Sequence, residues 1–93
     1  MTELDQVRSE IDEIDRQIVE LLGSRAACVK RVGLLKGNAT AIAAPERERT
    51  VYETRRTWAG TAGLDPDFVE DLYRRIIAYF TEQQRVQLGK RDE

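Results

Sequence analysis

Ninety-three residues carry 15 Lys and Arg against 17 Asp and Glu, so a net charge of −2 conceals a chain in which 34% of the residues are charged. One domain spanning residues 1–93 is expected, and a core this small normally needs a staple or a partner subunit; Cys28 alone, with no His, supplies neither a disulfide nor an ordinary zinc site. The same composition excludes a Ser-His-Asp triad, a Cys-His pair and a histidine general base.

The elements read as helices throughout, with no strand-like alternation and no internal repeat. Leu4, Val7, Ile11, Ile14, Ile18 and Leu21, followed by Cys28, Val32 and Leu35, recur at 3-4 spacing over more than four heptads, which predicts one long helix over roughly residues 3–37. Thr2 and Asp5 read as a capping box at its start, with Asp where Glu or Gln is usual. Gly23 and Gly33 each cost about 1 kcal/mol against Ala inside such a helix, a sign of close packing against another backbone. Gly37-Asn38 ends the helix, and residues 38–44 are small and without period.

Pro45 suits the first turn of a second helix, with Glu46 and Glu48 at its positive end, running to about Ala59 before Gly60-Thr61-Ala62-Gly63. Asp65-Pro66 then reads as an N-cap followed by Pro at the first helical position. The third helix carries Phe68, Val69, Leu72, Tyr73, Ile76, Ile77 and Phe80 at 3-4 spacing and extends to about Leu88-Gly89, leaving a frayed tail. Trp58, Tyr73 and Tyr79 read as packing residues, and Cys28 as a small apolar filler of the seam.

Length gives the first helix a partner. At ~1.5 Å per residue it is about 50 Å long, whereas a globule of this size is about 30 Å across. Its apolar stripe is therefore expected to pack on a second copy, forming an all-α, intertwined homodimeric bundle.

Polar residues interrupt that stripe. Position 25, in the slot shared by Leu4, Ile11, Ile18 and Val32, is an arginine; it either snorkels or pairs with a buried carboxylate, or it faces an anionic ligand. Lys36 lies 11 residues on, about three turns and ~16 Å, close enough for both side chains to reach one ligand. Arg8 lies 17 residues before Arg25, about 25 Å away, so only a partner's Arg8 in an antiparallel dimer can join that site. Arg47 begins the second helix and either closes the far end or pairs locally with Glu46 and Glu48. On the third helix Gln83 and Gln84 stand where the stripe would continue, and a buried one needs a polar target.

Arginines, a lysine and a neutral amide, without His, suit a small dianion held by its carboxylates and a reaction in which the substrate supplies its own electron flow. Lys and Arg elsewhere interleave with Asp and Glu, which argues against a nucleic-acid partner. No run approaches the roughly 18 apolar residues of a membrane span, and Met1-Thr2-Glu3-Leu4-Asp5 is acidic where a secretory leader is basic, so no membrane partner and a cytoplasmic location are expected.

The run from Val7-Arg8-Ser9-Glu10-Ile11 through Asp15, then Arg25, Gly33 and Lys36, Ala44-Pro45-Glu46-Arg47-Glu48, Gly63-Leu64-Asp65, Phe68-Val69, Ile76-Ile77 and Gln84 resembles the all-helical chorismate mutase family, most closely its isochorismate pyruvate lyase and salicylate-pathway members. The resemblance implies that Arg25, Arg47 and the partner's Arg8 hold the substrate carboxylates. It implies that Lys36 and Gln84 donate to the ether oxygen as its bond breaks in the Claisen rearrangement of chorismate to prephenate, without a cofactor. Ala44 stands where mutases of the family usually carry an acid that meets the ring hydroxyl, which favours the lyase. Glu48, where the lyase pattern is apolar, favours the mutase. A mutase acting on an amino-substituted chorismate is a third reading, and a helical dimerisation module that binds no metabolite is the competing class.

Overall fold

In the computed structural model, which describes residues 2–36 and 44–92, three helices account for nearly all of the described chain: α1 over Glu3–Lys36, α2 over Pro45–Ala62 and α3 over Pro66–Asp92. The expected end of α1 at Gly37-Asn38 and the segment 38–43 lie outside the described residues. The chain divides into two units, Met1–Val32 and Gly33–Glu93.

The first unit is helix α1 up to Val32. Its start is the expected reciprocal box: the Asp5 N–H donates to Thr2 Oγ1 at 3.1 Å and the Thr2 N–H to Asp5 Oδ2 at 3.4 Å, so the shorter Asp substitutes for Glu. Arg16 donates to Glu13 at 2.6 Å and meets Glu20 at 3.4 Å on the exposed surface, pairs that support a helix by a few tenths of a kcal/mol each. The apolar stripe lies open, from 42% exposed at Val32 to 68% at Leu21. Cys28 is exposed as well, so it fills no seam within the single chain. Gly23 has nothing within 4 Å of a Cβ built on it and marks no close approach.

A second stripe on α1 was not legible as such. Leu22, Arg25, Ala26 and Val29 are half-buried and Gly33 is buried, a 3-1-3-4 spacing that turns away from the seam and is built mostly of small residues.

In the second unit α2 and α3 run antiparallel. Arg74 stacks on Tyr52 at 4.4 Å, Arg55 on Tyr73 at 5.3 Å, and Arg56 pairs with Glu70 at 3.2 Å, so as α2 advances from Tyr52 to Arg56 its partners on α3 step back from Arg74 to Glu70. The turn between them needs a glycine. Gly63 has φ 78°, a left-handed conformation, and the Gly63 and Leu64 N–H groups donate to Gly60 and Ala59 carbonyls at 3.2 and 2.8 Å, satisfying the end of α2 three residues later than the sequence suggested. Gly60 is therefore carried inside the helix. The Asp67 N–H then donates to Asp65 Oδ1 at 2.9 Å, the expected cap of α3. That helix continues to Asp92, past the expected end at Leu88-Gly89 and through most of the tail expected to fray.

Val51, Ala59, Val69, Phe80 and Leu88 are the buried apolar residues, and none of the described side chains is wholly enclosed. Phe68 and Leu72, on the periodic stripe of α3, are exposed, as are Trp58 and Tyr79; only Tyr73 of the expected packing aromatics is half-buried. Arg55 lies between Trp58 and Tyr73, 4.6 and 5.3 Å from their ring centres, which gives its charge two π faces where its buried Nε has no hydrogen-bond partner.

An ionic cluster clamps the hairpin. Arg56 reaches Asp67 at 2.8 Å and Glu70 at 3.2 Å, and Glu70 also receives Arg74 at 2.8 Å. The hydrogen bond from Arg74, with the attraction of Arg74 and Arg56, holds the Glu70 carboxyl below its ordinary 4.5 against the opposing pull of burial. A depressed folded value means that this contribution is complete above the unfolded value and is lost as pH falls through the folded one. The unfolding midpoint is expected to drop on acidification below about pH 4.5, and Glu70→Gln to flatten that drop. Equal pH slopes in thermal melts of the two proteins would remove the clamp from the account.

Among the described residues, no helix is long and apolar enough to cross a membrane.

Candidate active site

The last turns of α1 and α3 meet inside the second unit. A Cβ on Gly33 would lie 3.5 Å from Gln87 Oε1 and 3.7 Å from Gln84 Cγ and Nε2, so the absent side chain is what lets the two glutamines approach α1. Gln84 is buried and Gln83 exposed, which decides between the two glutamines of the sequence. Lys36 follows Gly33 by three residues, one turn on, and is the last residue of α1. Its side chain lies outside the described residues.

Arg47 and Glu48 occupy the first turn of α2. Ala44 precedes the helix at φ −140° with no side-chain cap, Pro45 supplies the preset φ of the first turn, and the Glu48 N–H donates to the Ala44 carbonyl at 2.9 Å. Arg47 is exposed and Glu48 half-buried. The antiparallel register set by the Tyr52–Arg74 and Arg56–Glu70 contacts, continued along both helices, brings Phe80 level with the start of α2 and Gln84 about one turn beyond it. Gln84 and Gln87 thus face the last turn of α1 at Gly33, and Arg47 and Glu48 stand in the first turn of α2.

In the first unit, Arg25 is half-buried and Arg8 is exposed near the start of α1. Seventeen residues of continuous helix hold them about 25 Å apart, so one chain does not bring these two arginines to a common ligand. Arg25 stands in the seam slot and also on the half-buried stripe with Leu22, Ala26 and Val29. That second membership explains its burial beside the exposed Ile18 and Leu21.

Gln87 is the second glutamine beside Gly33, and sequence reading passed it over. Its signal was its place three residues after Gln84, on the same face of α3.

Chemically, a buried amide beside a helix turn that ends in a lysine, and an arginine and a half-buried carboxylate opening α2, are groups that can hold a small anion and donate hydrogen bonds to it. The sequence has no histidine, so no imidazole is available for proton transfer.

The chorismate mutase type II family matches the chain over residues 7–85. The isochorismate pyruvate lyase of Pseudomonas aeruginosa is 41% identical over 83 residues, which cover 89% of this chain and 82% of that protein. The T-protein of Haemophilus influenzae is 39% identical over 87 residues, 90% of this chain. The bifunctional chorismate mutase/prephenate dehydratase of Aquifex aeolicus is 48% identical over 82 residues, 84% of this chain. The chain spans only 23% of the length of each of these last two.

Proposed function

The chain belongs to the chorismate mutase type II family, and on that premise we propose that it converts chorismate to prephenate as a homodimer of one-domain chains. In that rearrangement the enolpyruvyl ether C–O bond breaks while a C–C bond forms between the enolpyruvyl methylene and the ring. No atom is gained or lost, so no proton shuttle or cofactor is needed. Arg25 and Arg47, with Arg8 of the partner chain, hold the two carboxylates and select the compact conformer in which the ends are close. Lys36 and Gln84 donate to the ether oxygen, where negative charge grows toward the transition state and their interaction strengthens. Glu48 accepts from the ring hydroxyl.

The supporting observation is that the family match spans every one of these positions, Arg8 through Gln84. The burial of Gln84 beside the last turn of α1 agrees with it, because a donor to a developing charge works best shielded from water.

A second reading, isochorismate pyruvate lyase, draws on the relative that this chain matches over most of both lengths and on Ala44, which leaves no acid one turn before Arg47. There the same ether bond breaks while a ring hydrogen moves to the enolpyruvyl methylene, releasing pyruvate and leaving aromatic salicylate. The same cations serve either reaction.

Chorismate and isochorismate, supplied separately to the purified protein, separate the two. Higher kcat/KM for prephenate is expected; dominant salicylate formation from isochorismate replaces the mutase by the lyase, and no turnover of either defeats both.

A further inference from the structure

The nearest turns of α3 do not decide which way the Gln84 amide points. The buried ridge of that helix is Phe80, Gln84 and Leu88, and the side chains one turn to either side of the glutamine carry no polar atom. A primary amide turned over fills the same space and exchanges its donors for an acceptor. The difference matters for the proposed reaction. One orientation offers N–H groups to the oxygen where negative charge grows, and the other offers a carbonyl oxygen that repels it.

The notch at Gly33 supplies an orienting group. Gly33 is buried, and the point where its Cβ would stand lies 3.7 Å from Gln84 Nε2 and 3.5 Å from Gln87 Oε1. A donor of one glutamine and the acceptor of the other therefore share one spot on the surface of α1. Gln87 is half-buried, three residues after Gln84 on the same face of α3. A carbonyl oxygen held there favours the Gln84 amide with its NH2 toward the notch, and it opposes the turned-over form, which sets two oxygens against each other.

We infer that Gln87 is a positioning residue: with substrate bound, its Oε1 accepts one of the two Nε2 protons of Gln84 and leaves the other for the ether oxygen. The inference rests on the role proposed for Gln84 and adds what holds that amide in its donating orientation. Gly33 belongs to the same device, because a branched side chain there would fill the notch that both amides share.

The variants are compared with whichever of chorismate and isochorismate the protein turns over, since the same ether bond breaks in both. Gln87→Met keeps the length of the side chain and removes the acceptor; kcat is expected to fall roughly tenfold with KM little changed, the scale of one hydrogen bond. Gln87→Glu accepts but no longer donates when ionised. It is expected to hold kcat within about threefold while raising KM, because it adds a negative charge beside a dianion. A side chain that only packs gives the reverse order, with Met tolerated and Glu not, and that order overturns the inference.

Coupling provides the second readout. Gln84→Met is expected to lower kcat by roughly 10²-fold, and adding Gln87→Met to it to change kcat by less than about twofold, because no amide remains to be oriented. A further tenfold loss in the double variant overturns the positioning role and leaves Gln84 in place. Full activity in Gln84→Met removes Gln84 from the reaction and the positioning role with it. Denaturant midpoints of Gln87→Met and the wild type are expected to agree, and a loss of stability in step with the loss of rate makes Gln87 a structural residue instead.

Discussion

Arg25→Met is expected to leave a folded, fully helical protein with turnover reduced by roughly 10³-fold, the scale of removing one preorganised charge from a reacting anion. Met matches the length and apolar stem of Arg and removes a charge that is half-buried on a helix otherwise lined there by Leu22, Ala26 and Val29. An ionised side chain in such surroundings is costly, and apolar replacement of comparable volume is often neutral or stabilising. Activity and stability are thus expected to move in opposite directions, a split that a structural arginine does not produce. Denaturant unfolding and steady-state kinetics on one preparation read both. Full activity in Arg25→Met would defeat the assignment of this site, and a shared loss of stability and rate would make Arg25 a structural residue.

The second large effect concerns assembly. Ile11 and Ile18 are each 50% exposed in the single chain, so Ile11→Asp or Ile18→Asp costs little in the fold of one copy. In a dimer sealed along the α1 stripe, each substitution buries two unpaired carboxylates, at several kcal/mol apiece, and is expected to weaken association by at least about 10³-fold. Sedimentation then finds a helical monomer at micromolar concentration. Its turnover is expected to vanish with the dimer, because Arg8 lies about 25 Å from Arg25 along its own helix and must come from a partner. A complementation experiment isolates that crossing. Arg8→Ala and Arg25→Met chains, each nearly inactive alone, are expected on equal mixing to regain about a quarter of wild-type activity, since half of the dimers are mixed and each of these holds one intact site. An active monomer, or no recovery on mixing, removes Arg8 from the partner's site.

Both expectations draw on residues that a linear reading singles out, and the reason is local. Arg25 stands in an apolar slot, and a charge that breaks a 3-4 period is visible without coordinates. The helix starts were equally legible, because the Thr2–Asp5 box, Pro45 and the Asp65 cap act within four residues of themselves. The end of α2 was less so: Gly60 and Gly63 both look like stops, and only the geometry of the chain reversal selects Gly63 as the residue that takes a positive φ. Glycines in α1 divide in the same way, with Gly33 against two glutamines and Gly23 against nothing.

The sequence by itself determined the helices, the seam and its arginine, because backbone capping and amphipathic period are short-range and repeat. Only the tertiary structure decided that Gln84 rather than Gln83 is buried, that Gln87 joins it, that α1 carries a second, small-residue stripe through Arg25, and that Phe68 and Leu72 stay exposed on a periodic helix. Periodicity states that a face is apolar; which face is covered depends on where another helix lies, and that is a relation between distant segments no local pattern contains.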